Sequence, residues 1–418
     1  MNLDELASSI ELPEEFDGLP VFAVGGAVRD VLLGNEPHDI DLLVTEVSPD
    51  EMKKRGFREI NSPNNHTFGV FMDSLGREVA LPREEVDIVS EDVRTSEAIE
   101  RDLKRRDFTI NAMALDLRHK TLHDPHGGQG ALDNKVLRHV SDAFRDDPLR
   151  ILRGARFAAR FDFQLAHETK VAMHESVDEL VGLPAERSRL ELEKVLVEAD
   201  QPRIFFDVLS DVGALRNTFP EIFALQDVPA GPAEHHREGD AFEHTMRVLQ
   251  EMKKLRPNDE IALLMALFHD VGKEATPVDE LPHHHNHAEN GVNVMDDAAK
   301  RLSLSNRQER ACKEACSEHM KMHKLAEMND TTVLKFWQNL HNSQRMIDLA
   351  IADELGREPQ GAFPLVQAEK QHKLVKRVCA EIRGKDLIEQ GYDPAEMGGE
   401  EFDDLLHQKR VELMRELE

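Results

Sequence analysis

Cysteine is close to absent from this chain: Cys312, Cys316 and Cys379 are the only three in 418 residues. An odd and sparse set cannot build a disulfide framework and points to a reducing compartment. Cys312 and Cys316 lie one helical turn apart and read as packing residues rather than a metal pair. Aromatic side chains are also scarce, at 5% with one Trp and one Tyr. No apolar run is long enough to cross a bilayer. The N-terminal M-N-L-D-E-L-A-S-S-I-E-L-P lacks the apolar stretch of a secretory leader, so the expected location is the cytoplasm. There is no internal repeat.

Positive charge is in deficit: 52 basic residues stand against 81 acidic ones, a formal net charge of −29. A protein that binds nucleic acid normally carries a basic footprint. Either this chain binds none, or it works in a high-salt, halophilic cytoplasm where an acidic surface aids solubility and salt screens its self-repulsion. The second reading is favoured, because basic residues still gather at the motifs below.

The most informative stretch runs from Val24 to Asp41, V-G-G-A-V-R-D-V-L-L-G-N-E-P-H-D-I-D. Val21–Val24 reads as a buried strand ending in Gly25-Gly26, where the backbone can approach a ligand closely. A short helix follows from Ala27 to Leu33, with Gly34 at its end. Free N–H groups at a helix start favour an anion, and Arg29 adds a forked donor suited to phosphate. Residues 39–44 read as a second strand, so Asp39 and Asp41 point the same way. Paired carboxylates beside triphosphate oxygens are a ligand set for Mg²⁺, and two such ions can activate an attacking hydroxyl and stabilise a leaving pyrophosphate. The competing reading is a surface loop with two solvated aspartates.

The length suits about three domains. Residues 1–138 mix short apolar runs with helical patches and read as α/β; Glu78 opens a further strand and is a candidate third carboxylate. Residues 114–122 read as a hairpin. Residues 124–130, D-P-H-G-G-Q-G, read as a glycine-rich connector and hinge. Helices dominate from Val140 onward, and residues 228–233 read as a linker.

Four further motifs carry chemistry. Arg105-Arg106-Asp107-Phe108-Thr109-Ile110-Asn111 offers cations for a triphosphate, with Asp107 and Asn111 for ribose hydroxyls, or else is a solvated basic turn. Asp146-Asp147-Pro148 opens a helix that carries Arg150, Arg153, Arg156 and Arg160 along one side. Asp147 and Arg150, three apart, can read a base edge by accepting C and A while rejecting U and G; the plain alternative is an intrahelical ion pair. Glu186, Arg187 and Glu191 follow as orienting residues or a solvated face. Last, His244, His269-Asp270, His284, His287 and Asp353 suit a metal-assisted phosphohydrolase, with Phe268-His269-Asp270-Val271-Gly272-Lys273 ending an apolar helix.

Together, V-G-G-A-V-R-D-x-L-L-G…D-x-D, R-R-D-F-T-I-N-A-M-A, D-P-x-G-G, D-P-L-R-I-L-R-x-x-R-F-A-A-R-F and E-R-x-x-x-E-L closely resemble the bacterial-type (class II) CCA-adding tRNA nucleotidyltransferases; the second half resembles the HD phosphohydrolase domain appended to some of them. The resemblance implies an α+β fold: a polymerase-β-like head with a small mixed sheet over residues 1–138, then an all-α neck (139–227), HD body (228–360) and tail (361–418). It implies addition of C, C and A to a tRNA 3′ end from CTP and ATP. By motif, Asp39 and Asp41 are the catalytic Mg²⁺ ligands, and Gly25, Gly26 and Arg29 hold the triphosphate. Arg106, Asp107 and Asn111 line the ribose and phosphate region. Asp147 and Arg150 select the base, beside Arg153 and Arg156. His244, His269, Asp270 and Asp353 match the HD metal ligands, for a divalent transition ion such as Ni²⁺ or Mn²⁺, and such domains hydrolyse phosphoesters including 2′,3′-cyclic phosphates. The alternatives are a poly(A) polymerase, an enzyme adding only CC or only A, and a protein that is chiefly a metal phosphohydrolase.

Overall fold

The computed structural model describes residues 1–37, 39–60, 69–82, 91–361 and 363–417. The chain divides into two compact units, Met1–Gly182 with Asp211–Ala214, and Leu183–Ser210 with Leu215–Glu418.

The first unit is built on a mixed sheet of seven strands among the described residues. They are β1 Val21–Val24, β2 Asp41–Val44, β3 Arg58–Ile60, β4 Val70–Met72, β5 Glu78–Ala80, β6 Ala114–Asp116 and β7 Leu122–His123, in the order β3-β4-β5-β2-β1-β6-β7. The apolar run of β1 is buried throughout, as expected of a strand covered on both faces. It lies antiparallel to β2, Val24 opposite Asp41, and to β6, Val24 opposite Ala114. β2 runs parallel to β5, with Leu42 beside Val79. Phe22, Val24 and Leu43 pack with Ile99, Leu103, Ala112 and Ala114 into one core. The expected hairpin is present as β6 and β7.

Two expectations change. The second strand begins at Asp41, and Asp39 lies on the segment before it. The supposed hinge is a helix, Gly128–Asp133. Asp124 Oδ1 and Oδ2 accept from the Gly128 and Gln129 N–H groups at 2.6 and 3.0 Å. A Cβ at Gly128 would stand 2.5 Å from the Thr109 carbonyl oxygen. That glycine serves close packing rather than bending.

The second unit is helical. Its centre is the helix Glu260–Phe268, whose residues from Ile261 to Phe268 are all buried; being apolar on every side, it can only be a core helix. Around it pack Ala241–Leu255, Asn306–Met322 and Ser343–Gly356, while His287–Arg301 packs on Asn306–Met322 and on the 3₁₀ turn Val271–Ala275. Asp240, Asp259 and Ser305 cap three of these helices through backbone N–H groups. The segment 228–233, expected as a linker, instead walls the unit's interior: Ala230 is buried and its carbonyl accepts from Lys273 Nζ at 2.7 Å. No helix among the described residues is long and apolar enough to cross a membrane.

Candidate functional sites

In the first unit, β1 ends at Gly25, whose φ of 69° and ψ of −124° suit glycine alone. A Cβ there would also fall 2.6 Å from Arg106 Nη1. The turn therefore holds a guanidinium directly against bare backbone. Across β1, the first residue of β2 is Asp41. Its carboxyl is pushed above the usual range by lost solvent and by the Asp39 charge, against the pull of Arg106. Stepping the β2–β5 register back one residue sets Glu78 beside Asp41. Asp39 and Glu78 thus lie beside Asp41 at one end of the sheet, and Arg106, whose Nη2 is also 3.2 Å from Asp102 Oδ2, acts on Asp41.

Behind this edge runs a buried polar chain. Arg153 Nε donates to Asp107 Oδ2 at 2.7 Å. Asp107 Oδ1 accepts from the Phe108 N–H at 2.8 Å and from Asn111 Nδ2 at 3.0 Å. Asn111 Oδ1 accepts from Arg29 Nη1 at 2.6 Å, and Arg29 Nε donates to Asp30 Oδ1 at 2.8 Å. Arg29 also lies 4.9 Å from the Phe161 ring centroid. Burial alone would push the Asp107 carboxyl up; Arg153 and the donors from Asn111 and Phe108 outweigh it and hold it below the ordinary value. Thus Arg29, Asp107 and Asn111 bond to one another and tie the helix after the glycine turn, Gly26–Leu32, to the helix Leu149–Phe161.

Asp107→Asn is expected to cost about 2–3 kcal/mol, since it removes the charge from the acceptor that binds Arg153 and Asn111 inside the fold. With the folded pKa depressed, the Asp107 contribution is complete above the unfolded value near 4 and is lost as pH falls through the folded one. Thermal unfolding should show the deficit at pH 7 and its narrowing in acid; a deficit that stays the same in acid would contradict this.

The Leu149–Phe161 helix starts where Asp147 Oδ1 accepts from the Leu149 N–H at 3.1 Å. Arg150 donates from Nη1 to the Ala143 carbonyl and from Nη2 to that of Arg105 at 2.6 Å. Arg156 is buried over Phe157, 4.4 Å from its centroid. Gly26 opens the Gly26–Leu32 helix. Glu186, Arg187 and Glu191 lie on the helix Ala185–Glu198 of the second unit.

The second unit gathers His244, His269, Asp270 and Asp353 in its interior, each nearly solvent-free. His244 Nε2 stands 3.1 Å from Asp353 Oδ1 and 3.7 Å from Asp270 Oδ2, and His269 Nε2 is 3.3 Å from Asp270 Oδ2. His244 Nε2 and His269 Nε2 are buried without a hydrogen-bond partner. Their Nδ1 atoms face pure acceptors, Glu238 Oε1 at 3.0 Å and the Ala266 carbonyl at 2.8 Å. Nδ1 therefore carries the hydrogen in each, and Nε2 presents a lone pair. Orphaned ring nitrogens facing two carboxylates fit a divalent ion.

Other residues aim this group. Asp353 Oδ2 takes His323 Nε2 at 2.7 Å and Arg357 Nη2 at 3.3 Å, which leaves Oδ1 for the cluster. Burial works against protonation of His323, but Asp353 and Glu354 raise its pKa to about 9. Lys273 Nζ lies 2.7 Å from Asp270 Oδ2. The cluster opens into a cavity of about 450 Å³ lined also by Lys324, Arg357 and His236.

The expected constellation also included His284 and His287. His284 uses both ring nitrogens elsewhere, on Thr276 Oγ1 at 2.7 Å and the Pro229 carbonyl at 2.8 Å. His287 reaches Asp270 Oδ1, 3.6 Å away. The sequence reading missed His319, Glu238 and His323. Of these only Glu238, just before a helix that carries His244, left a trace in the chain order.

Family profiles match in the same order as these sites: a Poly A polymerase head domain over residues 21–138, a "Probable RNA and SrmB- binding site of polymerase A" over 162–225, and an HD domain over 241–358. The chain is 37% identical over 396 residues to the Multifunctional CCA protein of Pasteurella multocida, covering 90% of this chain and 92% of the relative. It is 36% identical over 419 residues to that of Acinetobacter baumannii, covering 95% and 97%. Among solved structures, the fold resembles a Thermotoga maritima CCA-adding enzyme complexed with tRNA (TM-score 0.64, 21% identity, 100% of this chain and 99% of that one). It also resembles a CCA-adding enzyme in complex with ATP (TM-score 0.64, 21% identity, 98% and 93%). With a nucleotidyltransferase head, a helical body and an HD domain in one continuous match, the chain belongs to the family of multifunctional CCA proteins.

Proposed function

We propose that the chain extends tRNA 3′ ends with C, C and A, taking CTP and ATP and releasing pyrophosphate, and that its HD domain hydrolyses phosphoesters. The observation that carries the first half is Asp41, with Asp39 and, by strand register, Glu78 beside it, under the pull of Arg106 at the Gly25 turn. Asp39 and Asp41 would hold Mg²⁺, which on binding would supply charge for the triphosphate and acidify the attacking hydroxyl. The bare backbone at Gly25 and Gly26 lets a phosphate approach, and the fork of Arg106 suits its oxygens. The Arg153–Asp107–Asn111–Arg29 chain fixes the helix that carries Arg150, with Asp147 just before its start, so that this pair can meet a base edge. In this reading Arg29, Asp107, Asn111, Arg153 and Arg156 position the nucleotide site from behind.

The 3′-hydroxyl oxygen of the RNA bonds to the α-phosphorus as its proton passes to a neighbouring carboxylate or water, the bond from the α-phosphorus to the α,β-bridging oxygen breaks, and pyrophosphate leaves with that oxygen. Extension of tRNA lacking its end, read by product sequencing, tests this. Two C residues and one A from mixed CTP and ATP are expected; long runs of A without C would mark a poly(A) polymerase, and C alone or A alone a partial enzyme.

For the HD domain, His244, His269, Asp270 and Asp353 would hold a transition-metal ion such as Ni²⁺ or Mn²⁺, which would activate water when bound. Lys324 at the cavity, with Lys273 and Arg357 paired to Asp270 and Asp353 in its wall, adds positive charge that suits a phosphate, including a 2′,3′-cyclic one.

The net charge of −29 fits a high-salt, halophilic cytoplasm. Raising KCl from about 0.1 to 1 M shortens the screening length from roughly 10 to 3 Å. Activity and unfolding temperature are expected to rise over that range; best performance at low salt would contradict it.

A further inference from the structure

The loop that borders the HD cavity reads L-P-H-H-H-N-H from Leu281 to His287. His284 is its peg. Its Nε2 meets the Pro229 carbonyl at 2.8 Å and its Nδ1 meets Thr276 Oγ1 at 2.7 Å. A carbonyl only accepts, so Nε2 carries the hydrogen and Nδ1 takes the threonine hydroxyl. The His283 N–H donates to the Glu280 carbonyl at 2.9 Å. With the middle imidazole held by the protein, its two neighbours stay outside: His283 and His285 are exposed, and both line the cavity. Among the described residues neither makes a side-chain hydrogen bond or ion pair, and neither stands in a group of metal-ligating side chains. Their rings lie 15° from parallel, with centroids 5.9 Å apart.

The cavity lining is of two kinds. One is the buried His-Asp cluster, which suits a phosphate. The other is apolar or aromatic surface from Pro282, Ala288 and Met320 with His283 and His285. A volume of about 450 Å³ falls in the range, roughly 300–1,000 Å³, of sites that enclose a whole small-molecule ligand. A phosphate alone uses only the charged lining and leaves both outer imidazoles against water. Near-parallel rings with no hydrogen-bond partner present π faces of one orientation, and a planar base packs on such faces; bases stack on histidine as on other aromatic side chains.

We propose that His283 and His285 form a stacking wall for a nucleobase, so that the HD domain selects phosphoesters carrying a base, a nucleotide or the terminal nucleoside of an RNA, over esters that carry none. This rests on the HD reading given above and deepens it. Stacking reads no hydrogen-bond pattern, so every base is accepted and purines are favoured by their larger ring face.

The test compares the full chain with its His283→Ala, His285→Ala double variant. Both side chains are exposed, so their truncation opens no cavity in the core. Hydrolysis of 2′,3′-cyclic AMP is measured beside that of glycerol 1,2-cyclic phosphate, which offers the same five-membered phosphate ring without a base. KM for the nucleotide should rise about tenfold, within the range for a lost stacking contact, with kcat kept within about twofold and the base-less ester unchanged. Phenylalanine at both positions, His283→Phe with His285→Phe, keeps the π faces without the ring nitrogens and should restore KM. A readout apart from turnover uses metal-stripped protein with isotope-labelled histidine rings: the two ring C–H signals missing from the alanine variant should move upfield as 2′-AMP is added, the ring-current shift of stacking. An unchanged KM in the alanine variant, equal losses on both substrates, no rescue by phenylalanine, or signals that stay fixed would each overturn the stacking wall while leaving the hydrolase reading in place. Turnover of neither substrate by the parent protein would overturn the hydrolase reading, and the wall's role with it.

Discussion

Asp39→Ala combined with Asp41→Ala is expected to lower nucleotide addition by at least about 10³-fold, roughly 4 kcal/mol in the barrier, while phosphoester hydrolysis by the same preparation stays within about twofold. The size follows from what the two carboxylates are placed to do. Asp41 sits at the end of β2 with its carboxyl raised by lost solvent and by Asp39. Packing like charges that close costs free energy unless a cation repays it. Both residues keep much of their surface open even though neighbouring groups crowd the Asp41 carboxyl, so removing the side chains opens no cavity and the fold should survive. Radiolabelled CTP incorporation and hydrolysis of a chromogenic phosphoester, measured side by side, read the two activities. Loss of neither would remove the head assignment, and loss of both would mean the double variant unfolds the chain or that the activities are coupled.

The reciprocal result is expected from His269→Ala. Hydrolysis of 2′,3′-cyclic AMP and of a chromogenic phosphomonoester should fall by about 10²–10³-fold, as when an ion that activates water is lost, and CTP incorporation should be unaffected. His269 is fully buried at the end of the core helix, so truncation also removes packing; the structural part of the effect is read separately as a lower unfolding temperature in the metal-free protein. Retained hydrolysis at full rate would place the HD chemistry elsewhere.

Elements whose chemistry lies within one stretch of chain were legible in the sequence. The run V-F-A-V, the glycine turn and the capped Gly26–Leu32 helix appear where local pattern put them, because burial and positive φ leave direct marks on residue choice. The apolar I-A-L-L-M-A-L-F helix and its terminal His-Asp pair were equally plain. Long-range pairings were not. Asp107 and Asn111 carry the polar chemistry expected of ribose ligands, yet in the fold they meet each other, Arg29 and Arg153, partners up to 82 positions away. Gly127 and Gly128 read as flexible, whereas Gly128 is needed for a close approach to Thr109. His319 sits inside an ordinary capped helix, and nothing in the spacing ties it to Asp270, which it approaches to 3.3 Å where that helix packs on Glu260–Phe268.

The most direct test of the central claim is a crystal of the chain grown with Mn²⁺ and a non-hydrolysable CTP analogue. Anomalous density is expected between the carboxylates of Asp39 and Asp41, with the triphosphate over Gly25 and Gly26 and within reach of Arg106. Manganese in the head domain lying away from both aspartates, or a triphosphate seated elsewhere, would contradict it.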